Sequence, residues 1–537
     1  MTTESRDRER AQRRAMEGFA GDSQPVRQPL ELDHGPVTLA EVVSVARSGA
    51  DVRIGPEASD RLRASRVRLE RALARHEPIY GVNTGFGSLA RERIADHELS
   101  EVQHNLLRSH AAGVGEPLPV DVVRAMLLLL TASLCRGYSG ARPKLAQAIV
   151  ELLNAGVTPV VPETGSVGAS GDLAPLAHAT LALIGEGEAV IGGRRMSAAD
   201  ALSEVGLRPL DLTAKEGLAL INGTHLMAAR ASLLLHDIDH LLGACVTACA
   251  MSIDACRASH SFLDARVHEV RGQRGQTRVA EALRALLAGS GIRDSHRTDD
   301  PRVQDPYSLR CAPQVLGAAL DTIHYVREAV ALELGAVTDN PLVFEGTKGR
   351  DVDIVSAGNF HGMPLAIPLD ALAIAIAHVA GISERRIYLM LAAQDPEAHL
   401  TAYLSPKPGL HSGYMIAQYT AAACCNEIIQ LAGPSSVANI PTSAGMEDYN
   451  SFGPAAAKKA RRALDLAESV IAIELMCATQ ALEAHRPLRS GEGVETARSA
   501  VRTVVEPLLA DRSPSPDIAA VTSLIRAGTF TPIPGNA

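Results

Sequence analysis

Tryptophan is absent from this sequence, and aromatic residues of all kinds make up only 3% of it. A chain this poor in rings must build its interior from Leu, Ala, Val and Ile. An Ala/Leu-rich, aromatic-poor composition favours close-packed helices over sheets. An excess of basic charge is also missing. The formal net charge is −9, which argues against a general nucleic-acid binder. No apolar run reaches the roughly 18 residues needed to span a bilayer. The nearest, Leu241 to Ile253, is bounded by His240 and Asp254. The opening stretch, Thr2-Thr3-Glu4-Ser5-Arg6-Asp7, has no apolar signal region, so the expectation is a cytoplasmic protein with no membrane partner. The eight cysteines fall mostly inside apolar segments and read as buried free thiols. Cys245 and Cys249 share a helix face but have no second pair at metal-ligand spacing, so no metal is expected.

What is present organises itself into three parts. Residues 1–28 are charged and lack a hydrophobic period, as a mobile tail would. Residues 29–217 alternate short helical segments with loops. Within them, Leu39 to Ala46 and Ser59 to Ala74 read as surface helices. His97 to His110 follows as a helix capped by Asp96, and apolar helices open at Pro119 and Pro143. Gly185 to Arg195 reads as a hairpin, and Ala201 to Leu212 as a short helix and turn with Asp200 as its cap. Residues 218–537 carry long Ala/Leu-rich segments at about 218–258, 308–337, 363–396, 411–432 and 454–485. These are apolar over much of their circumference, so each must be buried on more than one side. The expected fold is mainly α: a long-helix bundle core with a smaller, loop-rich N-terminal region. Such wide apolar surface is hard to bury within one chain, so a homo-oligomer is expected.

One loop stands out chemically: Gly165-Ser166-Val167-Gly168-Ala169-Ser170-Gly171-Asp172-Leu173-Ala174-Pro175-Leu176. Gly171 has no side chain to keep its amide nitrogen from the carbonyl carbon of Ala169. Attack there with loss of two waters would close Ala169-Ser170-Gly171 into a five-membered ring. Ser170 would become an exocyclic methylidene, giving methylidene-imidazolone (MIO), an electrophile no ordinary side chain supplies. The plain alternative is a small-residue loop that cradles phosphate, but the Gly-Lys-Ser/Thr ending of a phosphate loop is missing. A helix opening near Leu173 would point its unpaired amides and positive dipole at this loop.

Other polar clusters interrupt the apolar segments. Each alone reads as a turn or a helix cap. Together they run in a recognisable order. Tyr80-Gly81-Val82-Asn83-Thr84-Gly85-Phe86-Gly87 is followed by Ser109-His110-Ala111-Ala112-Gly113-Val114-Gly115 and then by the loop from Gly168 to Leu176. Gly217-Leu218-Ala219-Leu220-Ile221-Asn222-Gly223-Thr224, Gln304-Asp305-Pro306-Tyr307-Ser308-Leu309-Arg310 and Gly358-Asn359-Phe360-His361 complete the series. These strings resemble those of the MIO-dependent aromatic amino acid ammonia-lyases and aminomutases, and within them the histidine ammonia-lyases, over nearly the whole chain from about residue 35.

The resemblance implies a carbon–nitrogen lyase that forms its prosthetic group autocatalytically from Ala169, Ser170 and Gly171 and uses no diffusible cofactor. It implies Tyr80 as the base for the substrate's β-proton. A free phenol ionises near pH 10, so this one must be shifted or very well placed, with Arg310 and the helix end contributing. It implies Asn222 and Tyr307 in contact with the ring or the amino group, Gln304 beside them, and Arg310 as a planar clamp for the carboxylate. Phe360 would line the ring and exclude water. By the same resemblance the assembly is a homotetramer with shared active sites.

Substrate choice rests on fewer positions. Ser109-His110 occupies the family's side-chain selectivity position, where His110 suits an imidazole. Glu447 matches the acidic residue that histidine enzymes place near that imidazole. Both favour L-histidine as substrate and trans-urocanate as product. Three departures keep alternatives open: Met446-Glu447-Asp448-Tyr449 where Gln-Glu-Asp-His is usual, Thr401-Ala402-Tyr403 where Pro-Pro-Phe is usual, and His225 where Gln is more familiar. A lyase or 2,3-aminomutase for tyrosine, phenylalanine or a histidine analogue is the alternative. A helical scaffold with a decayed site is the non-enzymatic one.

Overall fold

The computed structural model describes residues 29–530 except 34, 90, 299 and 348; the expected tail, 1–28, lies outside them. Its centre is made by the long Ala/Leu-rich segments. Helices His225–Ala255, Ala312–Glu333, Met363–Ala392, Met415–Leu431 and Gly453–Ala481 form the bundle. His225–Ala255 and Gly453–Ala481 pack on each other, and Met363–Ala392 lies against both. Twenty-seven of the 31 residues of His225–Ala255 are buried, as an all-round apolar helix requires.

One polar knot pins three of these helices. The Arg386 guanidinium, fully buried, donates to the equally buried Glu474 through Nε at 2.5 Å and Nη2 at 2.8 Å. Ser252 and Ser383 hydroxyls donate to the same carboxylate at 2.7 and 2.5 Å. A buried charge is tolerated here because its lone pairs are fully matched.

The N-terminal region packs smaller pieces against one end of this core. Its helices are Leu39–Arg47, Pro56–Leu73, Leu99–His110, Val120–Cys135, Pro143–Asn154, Leu173–Leu181 and Ala198–Glu204. The expected hairpin forms between Glu188–Ile191 and Arg194–Ser197, with Thr158–Pro159 added as a third strand. A helix, Glu216–Ile221, runs across residue 217, and one continuous apolar core contains residues from both sides of it.

Local signals misplaced some boundaries. Asp96 begins a single 3₁₀ turn, Asp96–Glu98, and the helix proper starts at Leu99 without a side-chain cap. Ser197, not Asp200, caps the helix that begins at Ala198, accepting the Asp200 amide at 3.1 Å. By length and mean hydropathy two helices, His225–Ala255 and Met363–Ala392, could cross a membrane, although neither holds 18 consecutive apolar residues. Their most apolar windows are 78% and 61% buried inside the bundle. The count of consecutive apolar residues missed them because scattered polar side chains such as Ser232 bond back to their own helix. Cys135, Cys245, Cys249, Cys256 and Cys477 are buried free thiols, while Cys311, Cys424 and Cys425 are half-buried.

Candidate active site

The Ala169-Ser170-Gly171 loop is held from two sides, by Gly223 and by Ser451-Phe452. Gly171 has φ +74°, a left-handed conformation, and a Cβ there would collide with the Gly223 carbonyl. The Gly223 amide donates to the Ser170 carbonyl oxygen at 3.3 Å, and the Asp172 amide donates to the Gly223 carbonyl at 2.7 Å. From the far end of the chain, Phe452 N donates to Val167 O at 2.9 Å and the Ser451 hydroxyl to Gly168 O at 3.0 Å. Residues almost 300 positions apart in sequence thus fix one loop.

Asp172 locks this arrangement to the longest helix. Its Oδ2 accepts the Leu226 and Met227 amides at 2.9 and 3.1 Å, which are unpaired donors in the first turn of His225–Ala255. Its Oδ1 accepts the Ser166 hydroxyl at 3.2 Å. Asp172 stands in the motif, but nothing in the sequence alone indicates this role.

Beside the loop lies a cavity of about 770 Å³. Its polar lining includes Tyr80, Ser109, His110, Ser170, Asn222 and Glu447; Phe360, Met446, Leu106 and Leu218 add apolar wall. Tyr80 sits in the glycine-rich stretch read as a loop, and the stretch is tied down by its own polar residues. Ile79 N donates to Asn83 Oδ1 at 2.7 Å, Gly81 N to Thr84 Oγ1 at 3.1 Å, and Gly87 N to the Tyr80 hydroxyl oxygen at 3.2 Å. The phenol is therefore aimed by backbone.

His110 ends helix Leu99–His110, and its Nδ1 lies 2.9 Å from the Leu106 carbonyl oxygen. A carbonyl only accepts, so Nδ1 carries the hydrogen and Nε2 is left as an acceptor. Burial lowers the His110 pKa, against a smaller opposing pull from the Leu106 carbonyl and from Glu447. Glu447 Oε1 accepts the Ser170 hydroxyl at 3.3 Å while Oε2 accepts the Thr442 hydroxyl at 2.9 Å. Asn222 donates through Nδ2 to Asn340 O at 3.0 Å, and its buried Oδ1 has no partner among the described residues. Behind it, Lys215 and Asp339 form a buried ion pair at 2.7 Å that no sequence signal suggested.

Five of the expected site residues are not in the lining of this cavity: Ala169 and Gly171, which flank Ser170 in the loop, and Gln304, Tyr307 and Arg310. Gln304, Tyr307 and Arg310 form their own cluster just before helix Ala312–Glu333. Arg310 Nη2 donates to Gln304 Oε1 at 2.8 Å, and its guanidinium carbon lies 4.5 Å from the Tyr307 ring centroid. Tyr307 is 70% exposed.

A family model described as aromatic amino acid lyase matches residues 37–503. The chain belongs to the aromatic amino acid lyase family. It is 49% identical to the histidine ammonia-lyase of Symbiobacterium thermophilum over 92% of this chain and 96% of that one. Among solved structures, the histidine ammonia-lyase of Trypanosoma cruzi aligns with TM-score 0.86 and 40% identity, covering 94% of each chain. The tyrosine aminomutase of Streptomyces globisporus aligns with TM-score 0.88 and 35% identity, covering 94% of this chain and 98% of that one. Membership of this lyase family makes the protein a carbon–nitrogen lyase with a mainly helical fold.

In this lyase the Asp172 carboxyl is pushed up to about 7 by complete burial, despite the amides and Ser166 that favour its ionised form. The sign follows directly. The folded carboxyl binds its proton more tightly than the unfolded one, so its stabilising contribution is full below the unfolded pKa, near 4, and is lost as pH rises through 7. Complete ionisation would cost about 4 kcal/mol relative to the protonated form. Asp172→Asn, which imitates the protonated acid, should gain melting temperature relative to the unsubstituted protein as pH rises from about 6 to about 8. A difference that stays constant over that range would contradict the assignment.

Proposed function

We propose that this lyase eliminates ammonia from L-histidine to give trans-urocanate, using an MIO formed autocatalytically from Ala169, Ser170 and Gly171. The observation that carries the reading is the pair facing into one cavity: Glu447, 3.3 Å from the Ser170 hydroxyl, and His110 with its Nε2 free to accept. An imidazole substrate can donate to His110 Nε2 and, when protonated, pair with Glu447. The names of the similar histidine ammonia-lyases support the same substrate.

The surroundings of the tripeptide fit this prosthetic group, because Gly171 occupies a place no Cβ could share, and Asn222, whose buried Oδ1 has no partner among the described residues, is one of the residues lining the same cavity. When formed, the group supplies an electrophile for the substrate's amino group, and no diffusible cofactor is needed. The chain's own residues do the rest. The Gly223 amide donates to the Ser170 carbonyl oxygen and would stabilise negative charge gathering there. Asn222 Oδ1 accepts from the substrate's amino group, and Tyr80 takes the β-proton on its phenolic oxygen. Phe360 lines the wall and excludes water there.

Gln304, Tyr307 and Arg310 belong, in this reading, to a cavity of another subunit in a homotetramer, where Arg310 clamps the substrate carboxylate. Exposed Ile367, Ile374 and Tyr388 on one bundle helix and Ile416 and Tyr419 on the next support such an assembly. The enzyme is read as cytoplasmic, with a small aromatic amino acid as its partner and neither nucleic acid nor membrane.

A panel of L-histidine, L-tyrosine and L-phenylalanine with product identification tests the reading. L-histidine should have the highest kcat/KM and release ammonia. A β-amino acid formed from tyrosine without net ammonia would replace the lyase reading with an aminomutase one.

A further inference from the structure

His225 is the first residue of the longest helix, 95% buried, and used by none of the roles assigned above. Neither ring nitrogen finds a hydrogen-bond partner among the described residues. A buried imidazole left unpaired is costly, about 1–3 kcal/mol per polar group, so its retention calls for a reason. Burial also pushes its pKa down to about 4, so the ring is neutral at ordinary pH and brings no charge to its surroundings.

The reason lies in what the ring touches. Gly223 has φ +128°, a conformation side chains rarely adopt. A Cβ at Gly223 would sit 2.9 Å from His225 Nδ1 and 2.6 Å from Thr338 Oγ1, and closer still to His225 Cε1. The imidazole edge and the Thr338 hydroxyl therefore close on the Gly223 Cα from its side-chain direction. Thr338 is itself fixed, accepting the Thr224 amide at 3.3 Å. Between these jaws the Gly223 peptide unit makes both of its bonds to the tripeptide loop, donating to Ser170 O and accepting from Asp172 N.

We propose that His225 is a positioning residue, which with Thr338 clamps Gly223 so that its amide stays aimed at the Ser170 carbonyl oxygen. The inference rests on the reading of Ser170 as the source of the electrophile, since that carbonyl is then where charge collects. It acts on the reaction only through Gly223. A donor held by packing costs no reorganisation when charge develops, and a small misaim of such a donor is expensive.

The full-length protein carries the test, as unsubstituted enzyme, His225→Ala and His225→Gln. Three quantities are read: hydrogen exchange in the peptide spanning Gly223, intact mass, and kcat and KM with L-histidine. In His225→Ala the exchange should quicken about tenfold. The mass should still lack two waters at the tripeptide, and kcat should fall about 100-fold with KM little changed. His225→Gln, which refills the space, should recover most of both. Unchanged exchange and kcat in His225→Ala would overturn the clamp. So would an unmodified mass in both variants, which would make His225 a requirement for ring closure instead. Should His225→Ala not fold, Thr338→Ala removes the opposite jaw. Faster exchange with lower kcat and unmoved KM then supports the clamp, and values like those of the unsubstituted enzyme refute it. Exchange is read without substrate, so an enzyme inactive on L-histidine counts against the proposed reaction and not against the clamp.

Discussion

Ser170→Ala is expected to lower turnover by at least about a thousandfold while leaving the fold intact. The expectation separates two roles of one residue. The Ser170 backbone carbonyl accepts the Gly223 amide, and alanine keeps that bond. Before ring closure the Ser170 side chain makes one hydrogen bond, to Glu447 at 3.3 Å, worth about 1 kcal/mol at a half-buried position, and closure itself gives that bond up. Alanine thus removes little stability but supplies no hydroxyl to lose, so no methylidene can form. Intact mass should show the unsubstituted protein lighter by two waters and Ser170→Ala with its full sequence mass. A variant with substantial remaining turnover would refute the assignment of Ser170 to the electrophile, whatever its melting temperature.

The second large effect concerns where the site is completed. Tyr80 lines the cavity, whereas Arg310 belongs to a cluster outside it. Tyr80→Phe removes the proton acceptor and Arg310→Ala the carboxylate clamp, and each should cost about a hundredfold or more. If the two residues of one site come from different subunits, the two inactive variants complement each other. Co-expressed in equal amounts and mixing at random, they leave about a quarter of the sites with both original residues, so about a quarter of full activity should return. No recovery, in assemblies shown by mass to contain both variants, would mean that Arg310 serves the site of its own chain or none.

The features legible in the sequence are those with a local cause. The tripeptide could be read because small residues before Asp172 permit a close backbone approach, and Gly171 takes up the left-handed conformation that this requires. The long helices could be read because Ala and Leu repeat without breakers: four lie within four residues of their expected bounds, while the first starts at His225, seven residues later than expected, after a break that follows the helix Glu216–Ile221. Tyr80, His110, Asn222 and Glu447 were named from separate strings, and folding brings them to one cavity.

What escaped has a tertiary cause. Asp172 matters because its carboxylate meets the first turn of a helix beginning at His225. Ser451 reaches Gly168 across 283 positions, and Lys215 finds Asp339 across 124. His225 drew notice only as a departure from the family pattern, because its contact with Gly223 depends on the turn at Thr224. No periodicity or spacing encodes these meetings. Asp96 and Asp200 failed as caps for a simpler reason: a residue of suitable type stood one or more positions from the true helix start, and local propensity does not choose between neighbours.

The most direct measurement incubates the purified protein with L-histidine and follows ammonia and the ultraviolet absorbance of urocanate together. The account predicts that both appear in equal amounts and that neither appears with Ser170→Ala. Consumption of L-histidine without ammonia, or no consumption by a protein whose mass shows the two waters lost, would contradict it.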